Sequence, residues 1–573
     1  MKNIISITLM IFVLSACAST QEKLSAFGSS VASGAAKLMP RKNNQQDTSA
    51  SQSGGAGTTH GMAMMMNNDQ EKPIDYIPEA LGNYTWEITT SEAMAQNYFN
   101  QGMQLRWAYN VNEAARSMAE ARRIDPNCAI CYWGEAFALG SFLNAHMTTE
   151  KGVQGRKAIL IAAELAEGNT SQMEQDLIQA TVVRYPENWT TEISRDKQAR
   201  QPTYRAFADA MAEVYEKYPD NHQIATVYAV SLFMLEERRG YRDLNSSSLI
   251  HLHNVLTGVL DEDITHPGAC HLYIHATEST TEPGRAEVCA DHLSDSVPIA
   301  SHIQHMPSHT YNEIGRWGKA VIANTKAQQS DLQAKVNKGF SYGDSHNIHM
   351  LLYAASYDGQ GSVAMQAGRD YRKITDMSPY EVLTQIRFGR FDDVLANDNK
   401  PEDAYSAAVW TFAKGYAQLK TGNIQAAKDT HAKVLKSHET MSGSFRGDSK
   451  KNLTEIVALI LAGEIAFTEG DTDEAIRYFE KSVKMEDALA FSEPEPLPFA
   501  ARHWLGATLL HVGDYQGAER TYREELADHP YNGWSLYGLK EALMAQNIND
   551  PAVNDDLEES WARSNLWITS SRF

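Results

Sequence analysis

A chain of 573 residues with 72 acidic against 51 basic side chains carries a net charge of −21. That length would fill about three or four globular domains, unless a repeat array spreads one core along the chain. The acidic balance, with no basic stripe, argues against nucleic acid as a partner, because binding a phosphate backbone requires concentrated Lys and Arg.

Residues 1–16 read as a targeting segment. Lys2 precedes an apolar run from Ile4 to Leu14, the length of a signal-peptide core and too short to span a bilayer. The run closes on Leu14-Ser15-Ala16-Cys17. This tetrapeptide resembles the lipobox of bacterial lipoproteins, and the resemblance implies lipidation of Cys17 as the mature N-terminus. Ala18, rather than Asp, is similar to the outer-membrane sorting pattern. The expected location is the bacterial cell envelope, as an outer-membrane lipoprotein facing the periplasm and touching the membrane only through its lipid.

Residues 17–80 are rich in Ser, Gly, Gln and Met and poor in aromatics, a composition that cannot bury enough apolar surface to offset chain entropy; a flexible tether is expected. Within it lie His60, Met62, Met64, Met65 and Met66. Thioethers are soft ligands suited to Cu(I), so this run could capture copper, although short biased tracts also recur by chance. In an oxidising compartment the remaining cysteines are expected in disulfides. Cys128 and Cys131 would staple the first turn of a helix capped by Asn127.

Beyond the tether, helix follows helix, with strand-like alternation scarce. Four stretches repeat one pattern of small and large residues: Asn97–Pro126 (Gly102, Ala114, Ala121), Trp410–Leu435 (Gly415, Gly422, Ala427), Ala458–Asp487 (Gly463, Gly470, Ala475, Phe479) and Arg502–Pro530 (Gly506, Ala518, Tyr522). Two antiparallel helices approach closely only where side chains are small, and a large apolar residue fills the neighbouring hole. These units resemble tetratricopeptide repeats, with weaker copies over most of residues 90–545. The resemblance implies an all-α fold, a right-handed α-solenoid with a groove that holds a protein or peptide partner. N-terminal repeats are expected over 81–245, His-rich central repeats over 246–395 and C-terminal repeats over 396–573. The stretches Arg184–Asn221 and Gln329–Gly343 fit the pattern poorly and are expected to hold insertions or longer helices.

Of the 19 histidines, 11 lie between His251 and His349. Ala286 and Ala320 are 34 residues apart, the repeat period, and so are His271 and His305, and His275 and His309. By the resemblance these positions of each first helix line the groove, with Glu278 next and Asn312 its counterpart. The same register turns Cys270 towards the second helix and Cys289, implying a disulfide. Helical geometry alone also puts His271, His275 and Glu278 on one face at i, i+4 and i+7. His302, His305 and His309 follow, interrupted by Pro307, and then His346 and His349. The expected metal ligands are therefore His271, His275, Glu278, His302, His305, His309, His346 and His349. Imidazole suits Zn, Cu, Fe or Ni; copper or zinc is favoured here and iron is allowed.

Tyr311 and Arg316 are candidates to support these ligands from behind. The other histidines, among them His251, His253, His266, His292, His146, His503, His511 and His529, read as structural. No Ser-His-Asp set, phosphate loop, dinucleotide fingerprint or H-E-x-x-H is present. Three functions remain: a metal-binding scaffold, a metalloenzyme activating water or dioxygen, and a metal-free scaffold whose histidines engage a partner peptide.

Overall fold

The computed structural model describes residues 72–573 except 238–239 and 376–377, and these residues belong to one compact unit. They form an all-α solenoid in which each helix packs mainly on its neighbours in sequence; one two-stranded hairpin, Ser444–Phe445 with Asp448–Ser449, is the only sheet among them. No helix of the described residues is long and apolar enough to cross a membrane. The expected targeting segment with Cys17, and the His60–Met66 run, lie outside the described residues.

The turns between paired helices use one device three times. Gly422, Gly470 and Gly513 adopt φ of 87°, 88° and 86°. The next residues, Asn423, Asp471 and Asp514, cap the following helix by accepting a backbone N–H with the side-chain oxygen. Glycine enters the left-handed region without a Cβ penalty, and an Asx oxygen satisfies one of the orphan donors of the helix start. Across each pair, any side chain at Gly463 would strike the ring of Phe479, and one at Gly506 that of Tyr522. These are the close approaches that the sequence pattern predicts. Of the two poorly fitting stretches, the first holds a short helix, Thr191–Arg195, and a long one, Lys197–Lys217.

The start of the folded unit differs from expectation. Residues 72–80, read above as tether, lie along the first helix, α1 (Ala93–Trp107), and are clasped by its amides. Gln101 accepts from Ile77 N–H at 3.0 Å and donates to the Asp75 carbonyl at 3.1 Å; Gln104 accepts from Gly82 at 2.7 Å and donates to Tyr84 at 3.0 Å. Gln and Asn side chains can mimic a strand edge in this way, and the segment also buries Ile74 and Ala80 in the core.

The far end folds back on the middle. Trp317 Nε1 donates to the Pro530 carbonyl at 2.9 Å, Trp534 Nε1 to that of Ser356 at 2.9 Å, and Arg563 pairs with Asp358 at 2.7 Å. The central repeats are therefore enclosed by C-terminal segments instead of facing an open groove. Both expected disulfides are present, Cys128–Cys131 and Cys270–Cys289. The cap of the helix after Cys128, α2 (Ala129–Leu139), is the cysteine itself, not Asn127.

His266 caps helix α3 (Pro267–Thr277): its Nδ1 accepts from Ala269 N–H at 3.1 Å, so Nε2–H donates to Gln223 at 3.2 Å. Burial, above all, lowers its pKa to about 4. Between that value and the ordinary 6.5 the unfolded chain takes up a proton that the folded chain refuses, so stability falls as pH drops through this window. His266→Asn keeps a good cap. It is expected to make the pH dependence of metal-free stability between 6.5 and 4 shallower by up to about 3 kcal/mol in chemical denaturation; equal slopes would contradict this assignment.

Candidate metal centre

Three first helices supply the histidines. His271 and His275 lie on one face of α3, and Glu278 is its C-cap. Helices α4 (Ser301–His305) and α5 (Pro307–Glu313) meet at Met306, whose helical φ/ψ of −51° and −39° lets Pro307 open a new helix almost without a bend. Helix α6 (Trp317–Ala334) returns along them. Helix α7 (Asp344–Tyr357) starts after Gly343, at φ 76°, and carries His346 and His349.

The groups that meet are not the sets expected helix by helix. His302 crosses to His271 and His275, and His305 and His309 meet His346; in each trio one candidate ligand atom per residue lies within 4.8 Å of the others. A third set, His275, Glu278, His309 and Glu493, overlaps both. Ring centroids of 5.7 Å for His302–His305 and 5.2 Å for His275–His309 join the trios into one cluster of six imidazoles. The five histidines of α3 to α5 are at most 3% exposed, whereas groove positions of an open array would face solvent.

The hydrogen bonds fix which nitrogen faces inward. His271 Nδ1 donates to the Trp107 carbonyl at 2.6 Å, and its Nε2 has no hydrogen bond. His275 Nδ1 and His309 Nδ1 donate to the two oxygens of Glu278, at 2.8 and 2.6 Å. Asn324 Nδ2 donates to the Ala320 carbonyl at 2.9 Å, which turns its Oδ1 to His305 Nδ1 at 2.7 Å. With Nδ1 of His305 turned to Asn324 and Nδ1 of His309 turned to Glu278, their Nε2 atoms stand 2.8 Å apart. Two ring lone pairs so close repel unless a positive charge lies between them. Neither nitrogen of the buried His302 has a hydrogen bond.

Electrostatics agree with this arrangement. Burial, reinforced by neighbouring imidazoles, pushes His271, His302 and His346 well below 6.5 and His305 to about 3, so the rings are neutral lone-pair donors. Burial and the charge of Glu493 act to raise the Glu278 carboxyl, yet His275 and His309 outweigh them and hold it at about 2. A carboxylate kept ionised in so buried a place calls for positive charge beside it, on those two rings or on a bound cation.

Not every expected residue joins. His349 sits apart, its Nδ1 accepting from Arg446 at 2.5 Å and its ring 4.3 Å from that of Tyr380. Tyr311 donates to Asp291 at 2.6 Å, and Arg316 pairs with Glu287 at 3.2 Å, so neither supports a ligand. Other residues do so instead: the Trp107 carbonyl, Asn324, and Glu493, whose Oε2 is 3.4 Å from His309 Nδ1. Tyr109, at φ 59°, sets its ring 4.3 Å from His271 and 5.0 Å from His302. A left-handed backbone is uncommon for an aromatic residue and concentrates at functional sites. Only the helical spacing of Asn324 from Ala320 was visible in sequence; Tyr109 and Glu493 lie in connections that carry no period.

Residues 456–488, within the helix pair that contains Gly463 and Phe479, match the tetratricopeptide repeat family. No curated protein matches the chain. Among solved structures it is similar to the P58(IPK) TPR domain, at 12% identity over 82% of this chain and 98% of that one, with a TM-score of 0.20. It is also similar to yeast Tom70, at 12% identity over 82% of this chain and 100% of that one, TM-score 0.29. A human IFIT1 dimer with m7Gppp-AAAA matches at 12% identity over 85% and 92%, TM-score 0.29. Superpositions this loose transfer neither superhelix nor ligand to this chain.

Proposed function

We propose that this chain is an exported, lipid-anchored tetratricopeptide-type scaffold whose enclosed histidine cluster binds two transition-metal ions, one on His271, His275 and His302 and one on His305, His309 and His346. The observation that carries the reading is the 2.8 Å approach of His305 Nε2 and His309 Nε2 with both Nδ1 atoms directed outward. Three buried ring nitrogens, His271 Nε2 and both of His302, lack any hydrogen bond. Each such group costs about 1–3 kcal/mol, far less than the roughly 10–16 kcal/mol a structural zinc ion returns. Glu278 serves both trios from behind, orienting His275 and His309 as an outer carboxylate instead of ligating.

All-nitrogen sets suit copper or zinc better than iron, whose open sites commonly include a carboxylate ligand. Three protein ligands per ion is also the complement of catalytic zinc sites, which favours a metalloenzyme as the second reading. The outer surface of the solenoid remains available to a protein or peptide partner, and lipidation of Cys17 would hold the chain at the outer membrane.

Elemental analysis of protein purified without chelator or nickel resin is expected to give two equivalents of one transition metal. His271→Ala/His275→Ala and His305→Ala/His309→Ala should each retain one. Glu278→Gln should retain both, with affinity weakened roughly 10- to 100-fold. Full occupancy in either double variant, with helical circular dichroism unchanged, would contradict the assignment. Cys17→Ser is expected to release the protein from membranes and abolish palmitate labelling; a membrane-bound, unlabelled wild type would contradict the anchor.

A further inference from the structure

Beside the second trio lies a cavity of about 30 Å³, lined by Glu278, Asn312, Glu313, Glu493, Glu495 and His529, among others. It has room for about two water molecules. Side-chain exposure rises along its wall, from 1% at Glu278 through 12% at Glu493 to 44% at Glu495, so one end meets the histidines and the other meets solvent. Among the described residues no Lys or Arg lines it. The cationic group described there, His529, is matched by Glu525 at 2.8 Å and Glu495 at 3.3 Å.

A second feature is independent of the acidic lining. Asn312 is 6% exposed, its Nδ2 donates to Met350 Sδ at 3.7 Å, and its Oδ1 in the cavity wall has no hydrogen-bond partner. A buried carbonyl oxygen left without a donor suits a cation or its hydration water. Burial and the charge of Glu495 keep the Glu313 carboxyl well above its ordinary range, so the wall carries more potential negative charge than it keeps ionised.

We infer that this cavity is the entry passage by which a metal cation, exchanging most of its hydration water for wall oxygens, reaches the buried histidines, with Glu495 at its mouth, Asn312 along it, and Glu493 and Glu278 delivering the ion to His309. This rests on the metal-binding reading above. An acidic, low-dielectric cleft raises the local concentration of cations and their on-rate and repels anions.

The test is stopped-flow loading of the metal-free full-length protein with Co(II), followed by d–d absorbance. Wild type should load at a rate that falls as ionic strength rises. Glu495→Lys should load at least roughly tenfold more slowly and lose most of that salt dependence. Glu495→Gln should fall between them, and Asn312→Leu, which puts methyls in the passage, should also be slow. All forms should reach the same final stoichiometry. Wild-type rate and salt dependence in Glu495→Lys would overturn the passage while leaving the centre intact. A lowered stoichiometry in that variant would overturn it too, by making Glu495 a ligand. Absence of bound cobalt in wild type would overturn both the passage and the metal reading.

Discussion

Two imidazoles whose Nδ1 atoms are tied outward, one to Asn324 and one to Glu278, are pressed together through their Nε2 atoms at 2.8 Å. Neither ring can turn away at low cost. Rotating His305 would break its bond to Asn324, which is itself held by the Ala320 carbonyl, and rotating His309 would leave Glu278 short of a donor in a site 1% exposed. The carboxylate ties the same constraint to His275, and through it to the second trio. A cation between the nitrogens would turn the repulsion into two bonds, which gives purpose to every second-layer contact around them.

Packing makes the arrangement rigid. Helices α3 to α7 pack on their neighbours in sequence with Ala269, Ala276 and Ala320 fully buried, so the histidines ride on closely packed helices. The fold-back of the C-terminal repeats then excludes water: Arg446, on the small hairpin, bonds to His349 and to the Glu493 carbonyl and so fixes the loop that brings Glu493 to the cluster. Exclusion of water strengthens the charge interactions and keeps His271, His302, His305 and His346 neutral well below the usual imidazole range.

The helical class, the repeat pattern, both cysteine pairings and the stretch whose histidines cluster were legible in the sequence, because each rests on local spacing: 34 residues between equivalent histidines, small residues at crossings, four residues between His271 and His275. The grouping was not. Helical phase says which face His302 occupies but not that this face turns to α3 instead of to α7, and it placed His349 in the cluster when Arg446 and Tyr380 claim it. Enclosure was illegible for the same reason. It depends on contacts such as Trp317 with Pro530 and Trp534 with Ser356, between residues roughly two hundred positions apart, and no periodicity encodes them. The amide clasp on residues 75–88 was hidden because polar composition alone reads as tether.

The central claim is that a metal ion separates His305 Nε2 from His309 Nε2. Anomalous diffraction from crystals of protein purified without added metal, with data on both sides of the copper and zinc absorption edges, tests it directly. The account predicts one strong peak among His305, His309 and His346 and a second among His271, His275 and His302. Two bare trios, with His305 and His309 swung apart or sharing only a proton, would contradict it.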